Sequence, residues 1–117
     1  WEYKDIKEGL AYTIENYNAV VEAYPDKQVV ITEAGWATKS NGRGIEPANV
    51  NESFQRQYFH ELMEWAEKEQ VLVYYFEAFD ENWKGSDDPL EPEKHWGLYK
   101  TNRRPKQAMY RPIRRAV

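Results

Sequence analysis

Two carboxylates stand at the ends of apolar runs. Glu33 closes Val29-Val30-Ile31-Thr32, and Glu77 closes Val71-Leu72-Val73-Tyr74-Tyr75-Phe76. Each run is short, continuous and rich in β-branched or aromatic residues, the pattern of a buried strand in a parallel sheet. Burying an unpaired carboxylate is costly, so packing alone gives such a strand no reason to end in one. In barrel and open α/β folds the carboxyl ends of the strands hold reactive groups. Glu33 is therefore the first candidate for chemistry, the alternative being half of a buried ion pair. Ala34-Gly35-Trp36 follow it, and Trp36 is expected either as the wall of a binding cleft or as packing beneath it. After Glu77 comes the polar loop Asp80-Glu81-Asn82-Trp83-Lys84. Glu81 and Lys84 are three apart, a spacing that by itself reads as a surface pair. Glu77 itself suits a bond to a substrate hydroxyl or to a loop amide.

The chain carries five Trp and nine Tyr in an otherwise polar sequence. Trp1, Tyr3, Trp36, Trp83, Trp96 and Tyr99 lie outside the periodic segments. Flat rings beside carboxylates suit sugars, whose C–H faces pack on aromatic planes while their hydroxyls bond acids and amides. The competing reading is that these rings are core or interface residues. Trp83, Trp1 and Tyr3 are candidate substrate contacts on this basis. His95 reads as a structural histidine, and Trp96 and Tyr99 as packing.

Composition narrows the classes. The chain has 117 residues and a formal charge of −4, from 16 Lys+Arg against 20 Asp+Glu. That balance gives no electrostatic footprint for nucleic acid. Asp87, Asp88, Glu91 and Glu93 form an acidic loop, and Arg103, Arg104, Lys106, Arg111, Arg114 and Arg115 a basic tail; both read as solvated surface, the alternative for the acidic loop being a calcium site, though its spacing is not that of an EF-hand. There is no cysteine, which excludes disulfides, thiolate zinc sites and cysteine nucleophiles. No metal or other cofactor is expected. No apolar run is long enough to span a membrane. The opening Trp1-Glu2-Tyr3 shows no signal-peptide pattern and no initiator methionine, so a segment of something longer is expected.

The elements that must position these residues follow from periodicity. Ile6, Leu10, Ile14, Tyr17, Val21 and Tyr24 recur at steps of three and four, which predicts an amphipathic helix from about 5 to 24, stopped by Pro25-Asp26. The strand 29–32 follows. Residues 37–48 form a turn-rich loop. Phe54, Tyr58, Leu62, Trp65 and Ala66 mark a second helix from about 51 to 69, with Asn51 as N-cap. The strand 71–76 comes next, then a long polar loop, an extended piece at 95–99 and a short helix around 106–110. Helix–strand alternation implies parallel strands joined by right-handed crossovers. Two strands cannot close a sheet covered on both faces, so the chain is expected to belong to a larger fold or to assemble.

Glu33-Ala34-Gly35-Trp36 resembles the strand-seven motif of glycoside hydrolase family 17, the β-1,3-glucanases. Phe76-Glu77-Ala78-Phe79-Asp80-Glu81-Asn82-Trp83-Lys84 and Glu93-Lys94-His95-Trp96-Gly97-Leu98-Tyr99 resemble that family's strand eight and closing segment, in the same order and spacing. The resemblance implies that residues 1–117 are the C-terminal segment of a single catalytic domain, about strands 7–8 with flanking helices of a TIM (β/α)8 barrel, whose complete form needs about 250 residues. It implies retaining hydrolysis of β-1,3-glucan of the laminarin type, with Glu33 as nucleophile and Glu81 and Lys84 in support. The family's acid/base glutamate follows an asparagine at the end of strand four. Glu15-Asn16 has the opposite order and sits in a predicted helix, so that group is expected outside this chain. The implied partners are a β-glucan and the remainder of the barrel, in the same parent protein or a companion chain. A polymeric substrate implies a secreted, periplasmic or cell-surface setting. A β-1,3-glucanosyltransferase and an inactive binding or assembly module are the alternatives.

Overall fold

A computed structural model describes residues 2–111. Four main elements follow one another: α1 (Ile6–Ala23), β1 (Ile31–Ala34), α2 (Glu52–Glu69) and β2 (Val73–Tyr75). Short 3-10 turns lie at Pro47–Asn49, Pro92–Lys94 and Gln107–Met109. The last of these takes the place of the short helix expected around 106–110.

Both long helices start on a side-chain cap. The Asp5 carboxylate accepts from the Glu8 amide, and the Asn51 side-chain oxygen accepts from the Phe54 amide at 2.6 Å. Each satisfies an amide that has no partner within the helix, a contribution of about 1 kcal/mol. At the far end of α2, Gln70 turns into the left-handed region (φ +55°) and the Val71 amide reaches back to the Ala66 carbonyl at 2.8 Å. That turn aims the chain into β2 (Schellman-type closure).

β1 and β2 pair in parallel, with α2 as the crossover. The ladder begins where the Ile31 amide donates to the Leu72 carbonyl and ends where the Phe76 amide donates to the Ala34 carbonyl. The strand expected at 29–32 is therefore displaced two residues along, and the one expected at 71–76 is shortened to its middle. Ile31 faces Val73 and Ala34 faces Tyr75. Three steps on β1 thus match two on β2, which leaves one extra residue between Ile31 and Ala34. Thr32 and Glu33 occupy that irregular stretch, and both are exposed. The expectation of buried strands is not met by either strand among the described residues, since β2 also exposes its central Tyr74.

The core lies on the helical side of the sheet. Trp36, Ile45, Tyr58 and Leu62 form its centre, with Val73 and Tyr75 of β2 packed against them. α1 lies beside α2: the Thr13 and Tyr58 hydroxyls are 2.7 Å apart, and the Tyr17 and Trp65 rings meet edge to face. Gly9 lets the Trp36 ring approach α1, since a Cβ there would press on the indole. Gln55 is fully buried on α2 and donates to the carbonyls of Trp36 (3.1 Å) and Gly97 (2.9 Å). One side chain thus ties the helix to the segment after β1 and to the closing segment. Strand alternation puts Tyr74 opposite Val73 and Tyr75, and Tyr74 is 59% exposed. No second layer covers that face among the described residues; the molecule is 23 Å across its thinnest axis.

Candidate active site

Glu33 stands on β1 at the irregular pairing. An extra residue in a strand bends it and re-aims a side chain, and such bulges recur next to active sites. Here consecutive residues, Thr32 and Glu33, both face solvent rather than alternating. Both line a cavity of about 590 Å³ together with Phe76, Glu93 and Trp96. Gly35 lies two residues on, just past the end of β1. A Cβ on Gly35 would collide with the Phe76 carbonyl, so only glycine lets the chain after Glu33 pass the chain after β2.

The second group of charges is built on the loop after β2. Lys84 bridges two carboxylates, reaching Glu81 at 2.5 Å and Glu77 at 3.2 Å. The sequence placed Glu81 and Lys84 together; the fold adds Glu77 to them. Burial pushes the Glu77 carboxyl above its ordinary range, against the opposing pull of the Lys84 ammonium. Bonding to Glu81, reinforced by Glu77, holds the Lys84 ammonium more firmly than usual. The same ammonium lies 4.8 Å from the Phe76 ring centroid, within cation–π range. Phe76 is therefore common to the Lys84 cluster and to the cavity that Glu33 lines.

The aromatic candidates separate. Trp83 is 72% exposed and presents its ring beside Lys84. Tyr3 is also exposed, with its amide donating to the Gly44 carbonyl. Trp36 lines the same cavity as Glu33 while its ring is anchored in the core. It is 5% exposed, its ring packs on Tyr58, and its indole N–H donates to the Asn49 carbonyl at 2.9 Å. An apolar ring beside a two-helix core gains more by burial than by solvent contact, so Trp36 supports the segment after Glu33 from below. Trp1 lies outside the described residues.

Two charges expected on the surface, Glu91 and Lys106, are buried in networks, and Lys94 is buried beside them. Glu91 is 2% exposed, bonded by Arg43 at 2.7 Å and by the Ser86 hydroxyl at 3.2 Å. Lys94, 8% exposed, donates to the carbonyls of Asn82 (3.0 Å) and Lys84 (2.6 Å). Lys106 is 2% exposed and donates to Asp80 (2.7 Å), to the Thr38 hydroxyl (2.9 Å) and to the His95 carbonyl. Asp80 also accepts from the Gly97 amide. Burial works against the Asp80 carboxylate, but bonds from His95, Lys106 and Gly97 prevail and hold its pKa below the ordinary range. Burial lowers the Lys106 pKa, with Asp80 opposing. Arg114 and Arg115 of the basic tail lie outside the described residues. His95 is structural as expected, its ring bonding the Pro89 carbonyl at 2.7 Å.

Glu93 also lines the cavity; the sequence placed it in a solvated acidic patch and in the closing-segment motif without a role at the site. Its one signal was adjacency to the Trp96-Gly97 segment. The buried lysines carried no signal at all, since loop residues have no period that reports which side faces inward.

Comparison with known proteins adds a family context. The family model described as the BtgE/BtgC glycoside hydrolase domain matches residues 1–97. A glucan 1,3-beta-glucosidase of Arthroderma benhamiae is 28% identical over 120 residues, covering 91% of this chain and 38% of the relative. The structure of a glycoside hydrolase family 17 beta-1,3-glucanosyltransferase from Rhizomucor miehei superimposes with a TM-score of 0.79 at 25% identity, over 94% of this chain and 39% of that one. An endo-laminarinase from a Formosa strain shares the fold, with a TM-score of 0.76 at 22% identity, over 90% and 28% of the two chains. The chain thus spans less than two fifths of the length of each of these relatives.

Proposed function

The chain belongs to the BtgE/BtgC glycoside hydrolase domain family, of the glycoside hydrolase family 17 β-1,3-glucanase type, and from that premise we propose that it supplies the C-terminal part, about strands 7–8, of a barrel that cleaves β-1,3-glucan with Glu33 as nucleophile. The observation that carries this reading is the irregular pairing of β1, which turns Glu33 out of the sheet and into a cavity. The uncovered face bearing Tyr74 supports a larger barrel around the two strands.

In this reaction Glu33 attacks the anomeric carbon and its carboxylate oxygen forms a glycosyl ester. A second carboxyl protonates the departing glycosidic oxygen. The same group then takes a proton from water, the water attacks the anomeric carbon, and Glu33 leaves as a carboxylate. Retaining enzymes hold the two carboxyls about 5–5.5 Å apart. Glu15-Asn16 lies in the middle of α1 rather than on a strand and has the opposite order to the family motif, so the acid/base comes from strands outside this chain. Lys84 fixes Glu77 and Glu81 beside the cavity, where they orient sugar hydroxyls. Trp83 offers a ring face to a pyranose. The polymeric substrate favours an extracellular, periplasmic or cell-surface setting.

The test is laminarin hydrolysis by this chain combined with the strands that complete the barrel, with Glu33→Gln as control. Reducing ends that depend on Glu33 are expected. Equal activity in Glu33→Gln would overturn the assignment of the nucleophile, and a folded assembly without activity would leave a binding or assembly module. A second reading, transfer of the glycosyl group to another sugar, is favoured by the likeness to the Rhizomucor transferase. It predicts products longer than the laminari-oligosaccharide supplied.

A further inference from the structure

Lys94 holds the 81–84 turn from three sides. Its ammonium donates to the carbonyls of Asn82 and Lys84, which bracket Trp83. Its own carbonyl accepts from the Glu81 amide at 3.3 Å, and the Lys84 amide closes the turn on the Glu81 carbonyl. The lysine is itself fixed. It ends the 3-10 turn Pro92–Lys94, its amide donates to the carbonyl of buried Glu91, and the Glu91 carboxylate is bonded by Arg43 and Ser86. Gly85, at φ +73°, lets the chain turn tightly over Glu91, where a Cβ would strike the glutamate side chain.

A buried ammonium is a poor choice for packing alone. Its desolvation is costly, and an apolar side chain of similar volume often does as well or better for stability. What an apolar residue cannot do is bond two carbonyls at once. Those carbonyls flank the residue pair that presents Trp83 and Lys84, and Lys84 is the cation between Glu77 and Glu81. We propose that Lys94 is a positioning residue of the active site, its ammonium setting the turn that holds Lys84 between Glu77 and Glu81. Its catalytic consequence rests on the glucan-cleaving reading above; its structural consequence does not.

The groups facing Glu77 are Lys84 and Glu81, and the Lys84 charge opposes the upward effect of burial on Glu77. Loosening the turn weakens that opposition. The Glu77 carboxyl is therefore followed by carbon-13 NMR against pH in the wild type, in Lys94→Met and in Lys84→Met. The midpoint is expected to move to higher pH in both variants. A folded Lys94→Met protein whose Glu77 titrates as in the wild type overturns the proposal. Should Lys94→Met fail to fold, Lys94→Gln, which keeps one donor group, carries the same comparison. In the completed barrel, kcat on laminari-oligosaccharides is expected to fall on the order of 10- to 100-fold with KM little changed. A wild type that does not cleave glucan defeats the functional reading, while the titration still decides the role of Lys94.

Discussion

Replacing Lys106 by Met tests the buried network that anchors the closing segment. The ammonium is 2% exposed and bonds Asp80, Thr38 and the His95 carbonyl. Methionine fills most of the volume and removes the charge. The Asp80 carboxylate then keeps the Gly97 amide at 2.9 Å and the His95 ring nitrogen at 3.8 Å, but loses its cation. Breaking a buried pair from one side costs about 3–5 kcal/mol, because the remaining charge is left uncompensated. That is a large part of a typical stability of roughly 5–15 kcal/mol. The sign against pH follows from the folded-state pKa of Asp80, which lies below its ordinary value. The wild type therefore holds this contribution above the unfolded-state pKa, about 3.9, and loses it as pH falls through the lower folded value. In Lys106→Met the carboxylate takes up a proton at higher pH, which relieves the penalty. The gap between the two proteins is thus widest near neutrality and narrows in acid. Urea unfolding at several pH values reads both slopes and midpoints. A double variant, Asp80→Asn with Lys106→Met, should recover a substantial part of the loss, since the two sites are directly coupled. A cost under about 1 kcal/mol at pH 7, or a double variant no more stable than strict additivity gives, would refute the reasoning.

Two further perturbations address the site and its scaffold. Trp83→Ala removes a ring that is 72% exposed, so stability should hardly change. On the proposed reading, losing a stacking platform of about 1 kcal/mol should raise KM for laminari-oligosaccharides roughly fivefold in the completed barrel, measured by initial rates; an unchanged KM would remove Trp83 from the substrate path. Gln55→Leu leaves the Trp36 and Gly97 carbonyls without their shared donor. Thermal or urea unfolding should show a loss of about 1–3 kcal/mol, and a neutral result would mean that the two segments are held by other contacts.

The sequence by itself determined the helices and picked out the candidate residues for chemistry. Periodicity placed both helices to within one or two residues, because a stripe of apolar side chains must meet a core wherever that core lies. Asn51 declared its role as a cap through its own short side chain. Glu33 stood out because an acid after an apolar run breaks the pattern that burial imposes. Glu81 and Lys84 stood out through the family likeness of their motif, and their spacing of three let a turn bring them together. Tertiary structure decided the rest. The irregular β1–β2 register arises from pairing between strands about 40 residues apart, and it moved Glu33 from beyond the strand to within it. Trp36 went to the core because α1 and α2 close over it, which no local pattern records. Glu77 joined Glu81 and Lys84 only through the path of the loop after β2. Glu91 and Lys106 read as solvated charges because, in a loop, composition reports polarity and not direction. Each became a buried partner because a distant donor, carboxylate or carbonyl folded against it, and that juxtaposition exists only in three dimensions.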